Sequence, residues 1–287
     1  MAYGGDVAAD YNDSTTLSAK LTELDTTAPI AGKSVTFTIT NSSGSQTCNG
    51  TTNAGGVASC TLVLSLTPGS YTVSASFTGD TDYLGGSDST AYTVTREESY
   101  LAYKGATNAD YSDRATVKAV LTEDGPGGTP LAGRQLKFTI GSASCTATTG
   151  STGLAQCTIT IADPSGPSSV VTTFLGDAYY QPVTLSTPFT ITQEEDDFSY
   201  TGPTSAKKGS TVTVSAKLTH GSTPLSGRTV SFTLGNQNCV GTTNGSGVAS
   251  CPITLAQSVG SYTVKASFAG DIYYVPATQS KTFKITS

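Results

Sequence analysis

The 287-residue chain has no tryptophan, one histidine and one methionine, and only 13% of its residues are charged. One imidazole, His220, cannot build a tetrahedral zinc site with cysteines spaced C-x11-C, and no phosphate-binding loop occurs. No apolar run is long enough to cross a membrane, so membrane insertion of this segment is not expected. Basic residues are outnumbered, 15 against 21 acidic, for a formal net charge of −6, which argues against a nucleic-acid partner. Met1-Ala2-Tyr3-Gly4 lacks the basic start and apolar core of a signal peptide; the expectation is a part excised from a longer exported protein, with a start methionine. Helix formers are few while threonine, serine and glycine abound, so composition points to an all-β chain.

What the chain does have is one thirteen-residue stretch, three times over. It reads CNGTTNAGGVASC from Cys48 to Cys60, CTATTGSTGLAQC from Cys145 to Cys157, and CVGTTNGSGVASC from Cys239 to Cys251. Threonine-rich arms around a glycine-containing centre are hairpin chemistry, and cysteines equidistant from the turn can face each other across paired strands. The six cysteines are all used this way, which implies three disulfides and an oxidising, extracellular or cell-surface setting. Two further landmarks keep the same order: Pro29-Ile-Ala-Gly32, Pro130-Leu-Ala-Gly133 and Pro224-Leu-Ser-Gly227, then Phe77-Thr-Gly-Asp80, Phe174-Leu-Gly-Asp177 and Phe268-Ala-Gly-Asp271. A period of roughly 95 residues is the size of a self-sufficient domain, so the expected organisation is 1–96, 97–193 and 194–287.

Within the first unit apolar residues alternate: Leu17, Ala19, Leu21; Val35, Phe37, Ile39; Leu62, Leu64; Tyr71, Val73, Ala75, Phe77; Tyr92, Val94. A period of two, broken by Gly, Pro, Asn or Asp, predicts a β-sandwich of seven strands, near residue 3 and over 15–22, 33–40, 46–52, 57–66, 70–78 and 88–95. The cysteine pair would then join the fourth and fifth strands within one hairpin, pointing inward. Closing ~13 residues this way is worth about 3 kcal/mol. In the middle unit Ser168-Ser169 stand where the others have Tyr71-Thr72 and Tyr262-Thr263, so its sixth strand is expected to start late or pack more loosely.

The PLAGxxVxFT-type segment, the TTxxxGxAS turn and the YTVxASFxGDxxY close resemble bacterial immunoglobulin-like domains found as tandem repeats in large secreted and surface proteins. The resemblance covers nearly all of the chain. It implies three Greek-key immunoglobulin-like β-sandwiches in an extended array, acting as spacer, stalk or adhesive module. The cysteine pair is an addition that many such repeats lack.

The joints, Val94–Tyr100 and Ile191–Phe198, carry no Pro/Gly/Ser tract, so consecutive units are expected to follow each other almost directly in a semi-rigid rod. With immunoglobulin-like connectivity, joint one gathers Asp10, Asp13, Glu97, Glu98, Glu123, Asp124 and Asp177. Joint two gathers Asp110, Asp113, Asp163, Glu194, Glu195, Asp196, Asp197 and Asp271. Hard oxygen ligands converging from separate loops suit Ca²⁺, although no cofactor is required by the sequence; a solvated acidic linker is the plainer alternative. Lys207-Lys208 replace the acids in the third unit.

The repeated Gly-Asp-x-x-Tyr reads as a turn closed by Asp80, Asp177 or Asp271, with Tyr83, Tyr180 or Tyr274 packing back on the core. Tyr179, Tyr180, Tyr273 and Tyr274 are also candidate loop-tip anchors for a glycan or a protein. Catalysis is not expected: His220 has no equivalent in the other units, and no thiolate nucleophile remains. Lys20, Lys118 and Lys217 fall on the outward parity of their strand, which disfavours an isopeptide staple. The expected function is a stalk or spacer in a secreted or surface adhesin-like protein. A binding module and a self-associating filament subunit are the alternatives.

Overall fold

A computed structural model describes residues 1–287. The first sandwich comprises β1 (Ala2–Tyr3), β2 (Ala8–Asp10), β3 (Ser14–Lys20), β4 (Ser34–Asn41), β5 (Gly44–Thr51), β6 (Val57–Val63), β7 (Gly69–Gly79) and β8 (Leu84–Thr95). The second comprises β9 (Ser99–Tyr103), β10 (Asn108–Asp110), β11 (Arg114–Glu123), β12 (Gln135–Ile140), β13 (Ala143–Thr148), β14 (Leu154–Thr160), β15 (Gly166–Phe174) and β16 (Val183–Thr192). The third comprises β17 (Asp197–Tyr200), β18 (Ser205–Lys207), β19 (Thr211–His220), β20 (Thr223–Pro224), β21 (Thr229–Leu234), β22 (Gln237–Thr242), β23 (Val248–Thr254), β24 (Gly260–Phe268) and β25 (Ala277–Thr286).

Each sandwich has a small sheet, β1-β3-β6 in the first, facing a five-stranded one, β2-β8-β7-β4-β5. The same orders recur as β9-β11-β14 with β10-β16-β15-β12-β13, and as β17-β19-β23, with β20 also on β19, facing β18-β25-β24-β21-β22. The opening strand is split between the sheets, so there is one element more than the seven expected. Its first half pairs antiparallel with β3, and its second half crosses over to pair parallel with β8. That swap covers an edge of each sheet, where exposed ladder groups would otherwise invite pairing with another chain.

Alternation does what it predicts. Leu17, Val35, Phe37, Ile39, Val73 and Ala75 are fully buried between the first pair of sheets, while their strand neighbours face water. Burying each large side chain stabilises by roughly 1.5–3 kcal/mol. Three separate main cores result. The middle sandwich shows no late start: β15 runs Gly166–Phe174, nine residues, the same length as β24 at Gly260–Phe268. Backbone pairing with β16 holds Ser168 opposite Phe189, so the missing tyrosine costs side-chain packing without shortening the strand.

The cysteine stretch is not a hairpin. β5 pairs with β4 (Phe37 opposite Cys48), whereas β6 pairs with β3 (Leu17 opposite Cys60). The chain between them is an arch that crosses from one sheet to the other. Cys48–Cys60, Cys145–Cys157 and Cys239–Cys251 are bonded within their own sandwiches, with Cα atoms 6.1, 6.3 and 6.1 Å apart, and no free cysteine remains. Each bond thus clasps the two sheets at their open side. Equal distance from a turn brings two sulfurs face to face in a hairpin and in an arch alike, so spacing could not tell them apart.

The arch turns on Gly56, Gly153 and Gly247, at φ +74, +71 and +76°. A Cβ there would lie about 2.5 Å from the carbonyl oxygens of Leu21, Leu121 and Leu218, so only glycine fits.

Candidate functional site

The residues singled out as sites lie, apart from the cysteines, at the two joints. Neither linker is loose. The Glu97 N–H donates to the Tyr179 carbonyl at 2.9 Å, and the Gln181 N–H donates to the Glu97 carbonyl at 2.8 Å. Joint two repeats this with Glu194 N–H to Tyr273 O at 2.8 Å and Val275 N–H to Glu194 O at 3.0 Å. Each linker is therefore added, parallel, to the loop that precedes the last strand of the following sandwich. Each linker is thus pinned to the next sandwich through the N–H and carbonyl of one residue, Glu97 or Glu194.

Over this seam lies a tyrosine from the preceding sandwich. Tyr11 sits in the turn after β2, with Asn12 at φ +75°, a conformation asparagine tolerates. Its ring packs on Tyr179 at 4.8 Å and edge-on to Tyr180 at 6.1 Å. Tyr111 repeats the contact on Tyr273 and Tyr274 at 4.6 and 5.8 Å. Tyr11 is thereby packed against the core of the second sandwich and Tyr111 against that of the third.

This corrects the reading of Tyr179, Tyr180, Tyr273 and Tyr274 as loop-tip anchors. Tyr180 and Tyr274 are each 6% exposed, and Tyr179 and Tyr273 are half-covered by the preceding unit. Tyr83, which meets no such tyrosine, stays only partly buried. In all three units the Asp of Gly-Asp-x-x-Tyr closes the turn through its side chain. Asp177 Oδ1 accepts the N–H groups of Tyr179 and Tyr180 at 2.8 and 2.9 Å, and Asp271 does the same for Tyr273 and Tyr274.

The acids sort differently from the sequence expectation. Asp177 and Asp271 do not join a carboxylate cluster: each pairs with an arginine, Arg134 and Arg228, at 2.7 Å. Those guanidiniums in turn lie over Tyr180 and Tyr274. Asp10 and Asp110 accept the hydroxyls of Thr95 and Thr192, Glu98 accepts from the Gln181 amide at 3.0 Å, and Glu195 points to solvent. Asp163 caps Ser142 N–H at 2.9 Å within its own sandwich.

What remains at joint one is Asp13, Glu97 and Asp124, with ligand oxygens all within 4.8 Å of one another. Glu97 is 1% exposed and neither of its carboxylate oxygens meets a donor. Burial, together with the facing Asp124, pushes its carboxyl up to about 8. Burial also raises Asp13, helped by Asp124. Glu123, buried alongside, is satisfied: Oε1 accepts from the Tyr180 hydroxyl at 2.7 Å and the Asn12 amide at 3.1 Å.

At joint two the cluster is Asp110, Asp113 and Glu194. Burial and Asp113 raise Glu194, whose Oε1 lies 3.9 Å from His220 Nδ1. Nearby Asp196 is pushed up to about 6, by burial and then by Asp197 and Asp271, and neither of its oxygens finds a donor. Both clusters offer only hard oxygens, the kind a Ca²⁺ ion accepts; the first draws on two sandwiches and the linker, the second on one sandwich and the linker.

Tyr11, Arg134 and Arg228 are the functional residues that sequence reasoning missed. A signal existed. Asp10-Tyr11-Asn12-Asp13 and Asp110-Tyr111-Ser112-Asp113 become Lys207-Lys208-Gly209-Ser210 in the third unit, and the tyrosine changes along with the acids.

Fold, clasped sheets and tyrosine-seamed joints define a tandem immunoglobulin-like array. The family model for bacterial Ig-like domain (group 3) matches residues 5–96 and 199–286, and the chain belongs to that family. The unmatched middle sandwich has the same sheet orders as the matched ones. No curated protein matches.

Among solved structures, the chain is similar to a tetra-tandem repeat in the extending region of a large adhesion protein, at 19% identity and TM-score 0.48, over 98% of this chain and 74% of that one. It is also similar to a Ca²⁺-stabilized adhesin with which an Antarctic bacterium binds ice, at 16% identity and TM-score 0.39, over 100% and 74%. The native conformation of Escherichia coli alpha-2-macroglobulin aligns at 11% identity and TM-score 0.29, over 99% of this chain and 22% of that one. These likenesses are too distant to add to the family match.

Proposed function

We propose that the chain is a stalk or spacer segment of a bacterial secreted or cell-surface, adhesin-like protein, and is not an enzyme. Its units run 1–96, 97–193 and 194–287, and it holds an adhesive part of the parent protein away from its anchor. The observation that carries this reading is the consumption of each linker. Glu97 and Glu194 are hydrogen-bonded into the next sandwich, and Tyr11 and Tyr111 close over the seam. Such a joint transmits length instead of bending. The cross-sheet clasps support an oxidising, extracellular location, because three such bonds would not persist against cytosolic reductants. A hard cation at an acidic joint belongs to the same reading and would add stiffness.

Small-angle scattering tests the proposal. Three serial sandwiches of roughly 40 Å each give a maximum dimension of about 120 Å that does not change with concentration. A compact, folded-back particle of much smaller maximum dimension would overturn it. The tyrosines, being engaged in the joints, give no support to a glycan-binding reading.

A further inference from the structure

The two joints share one plan, so the differences around the linker glutamate are informative. Thr122 pairs with Pro130 and Thr219 with Pro224, which makes His220 the counterpart of Glu123. In joint two a group able to carry positive charge therefore stands 3.9 Å from the linker glutamate. In joint one that place holds a fourth carboxylate, Glu123, and the next position carries Asp124 where joint two has Gly221.

Around Glu97 nothing compensates. Its side chain is 1% exposed, both oxygens lack a donor, and the groups that face it are Asp13 and Asp124. None of the three forms an ion pair, and Arg134, the guanidinium of this joint, is held by Asp177 at 2.7 Å. A buried carboxylate with no partner is costly enough that native structures supply one, a counter-ion included. The backbone hydrogen bonds of Glu97 hold this residue at the seam between the two sandwiches. Asp13 and Asp124 lie at the surface, which leaves an entry path and room for water to complete a coordination shell of six to eight oxygens.

On the reading of the joints as the stiffening elements of a stalk, we propose that joint one holds a single Ca²⁺ through Asp13, Glu97 and Asp124. Joint two, where Gly221 stands in place of the ligand Asp124 and His220 faces Glu194, binds the ion far more weakly. The ligands come from the turn of the first sandwich, the linker, and the β11 end of the second, so the ion ties three segments whose relative placement sets the angle of the joint. Ca²⁺ suits the site better than Mg²⁺, because these ligands come from three separate segments, and Mg²⁺ demands near-ideal octahedral geometry.

The test uses the whole chain and Tb³⁺, which substitutes for Ca²⁺ and is excited through nearby tyrosines; Tyr11, Tyr179 and Tyr180 line this joint. Sensitised emission should saturate at one ion per chain and be displaced by Ca²⁺ at or below about 1 mM, the range of extracellular modules. Glu97→Gln should weaken binding by roughly 100-fold or more, a ligand loss exceeding the effect of losing a supporting contact. Glu194→Gln should leave it unchanged. His220→Glu combined with Gly221→Asp should create a second site.

Asp124→Asn, at an exposed position whose left-handed backbone (φ +55°) asparagine tolerates, covers the case in which Glu97→Gln does not fold; it too should lose the ion. No saturable binding, two sites of equal affinity, or full binding by either variant would overturn the proposal. Scattering length in EDTA is read separately, so a chain that keeps its length without the ion refutes this site's role in stiffening and leaves the stalk standing.

Discussion

Tyr11 of the first sandwich and Tyr179 of the second lie with ring centroids 4.8 Å apart, tilted by 49°, across a boundary that their sequence separation gave no reason to connect. Tyr111 and Tyr273 reproduce the relationship at 4.6 Å and 52°. Aromatic pairs at this distance contribute ~0.5–1.5 kcal/mol beyond the area they bury. Placed over a linker already pinned to the next sandwich through Glu97 or Glu194, that energy resists bending rather than unfolding.

Truncating the seam should therefore loosen the joint and spare the sandwiches. Tyr11→Ala with Tyr111→Ala should broaden the distribution of interdomain angles in scattering, while the thermal midpoints of the units stay within a few degrees. A double-mutant cycle on Tyr11 and Tyr179 should return a coupling of about 0.5–1.5 kcal/mol in joint closure. A coupling near zero would mean that the rings merely touch.

The clasp makes its own prediction. Replacing Cys48 and Cys60 by serine should cost about 3 kcal/mol in the first unit. Hydrogen exchange should rise in both β5 and β6, since each is released from the other's sheet. Loss of protection in one strand alone would contradict a cross-sheet bond. Mass spectrometry should find three intra-unit linkages and no thiol.

Separate cores imply separate failures. Phe138 is fully buried in the middle core, and Phe138→Ala should destabilise that unit by about 3–5 kcal/mol. Calorimetry should then resolve an early transition for the middle unit with the other two nearly unmoved. A single merged transition, shifted as a whole, would show that the joints couple the units more tightly than their contacts suggest.

Asp196 gives a pH dependence whose sign follows from its environment. Its carboxyl is raised from the ordinary 3.8 to about 6, chiefly by burial, so the folded state holds the proton more tightly than the unfolded one. Its contribution to stability is therefore fully present below about pH 4, declines as pH rises through 6, and is gone above it. The counterpart in joint one is Ser99, whose hydroxyl donates to the Gln181 carbonyl at 2.9 Å. Asp196→Ser should raise the thermal midpoint at pH 7 and flatten its pH profile between 4 and 6. An unchanged profile would place the carboxylate in water.

Residue order alone determined the all-β class, the inward and outward faces of each strand and the family resemblance. These depend on local periodicity, which any window of the chain contains. Leu17, Phe37 and Val73 could be assigned to a core from their neighbours in sequence. The partner of each strand edge was decided elsewhere. β5 and β6 could have hydrogen-bonded to each other; the ladders with β4 and β3 took them into different sheets and turned a hairpin bond into a clasp.

The joints were decided at the same level. Asp177 and Glu97 are both acids on one junction, and no local feature says that one meets Arg134 while the other is buried with no donor. Charges, unlike strand faces, are sorted by whatever long-range packing brings near, and only the folded chain sets those distances.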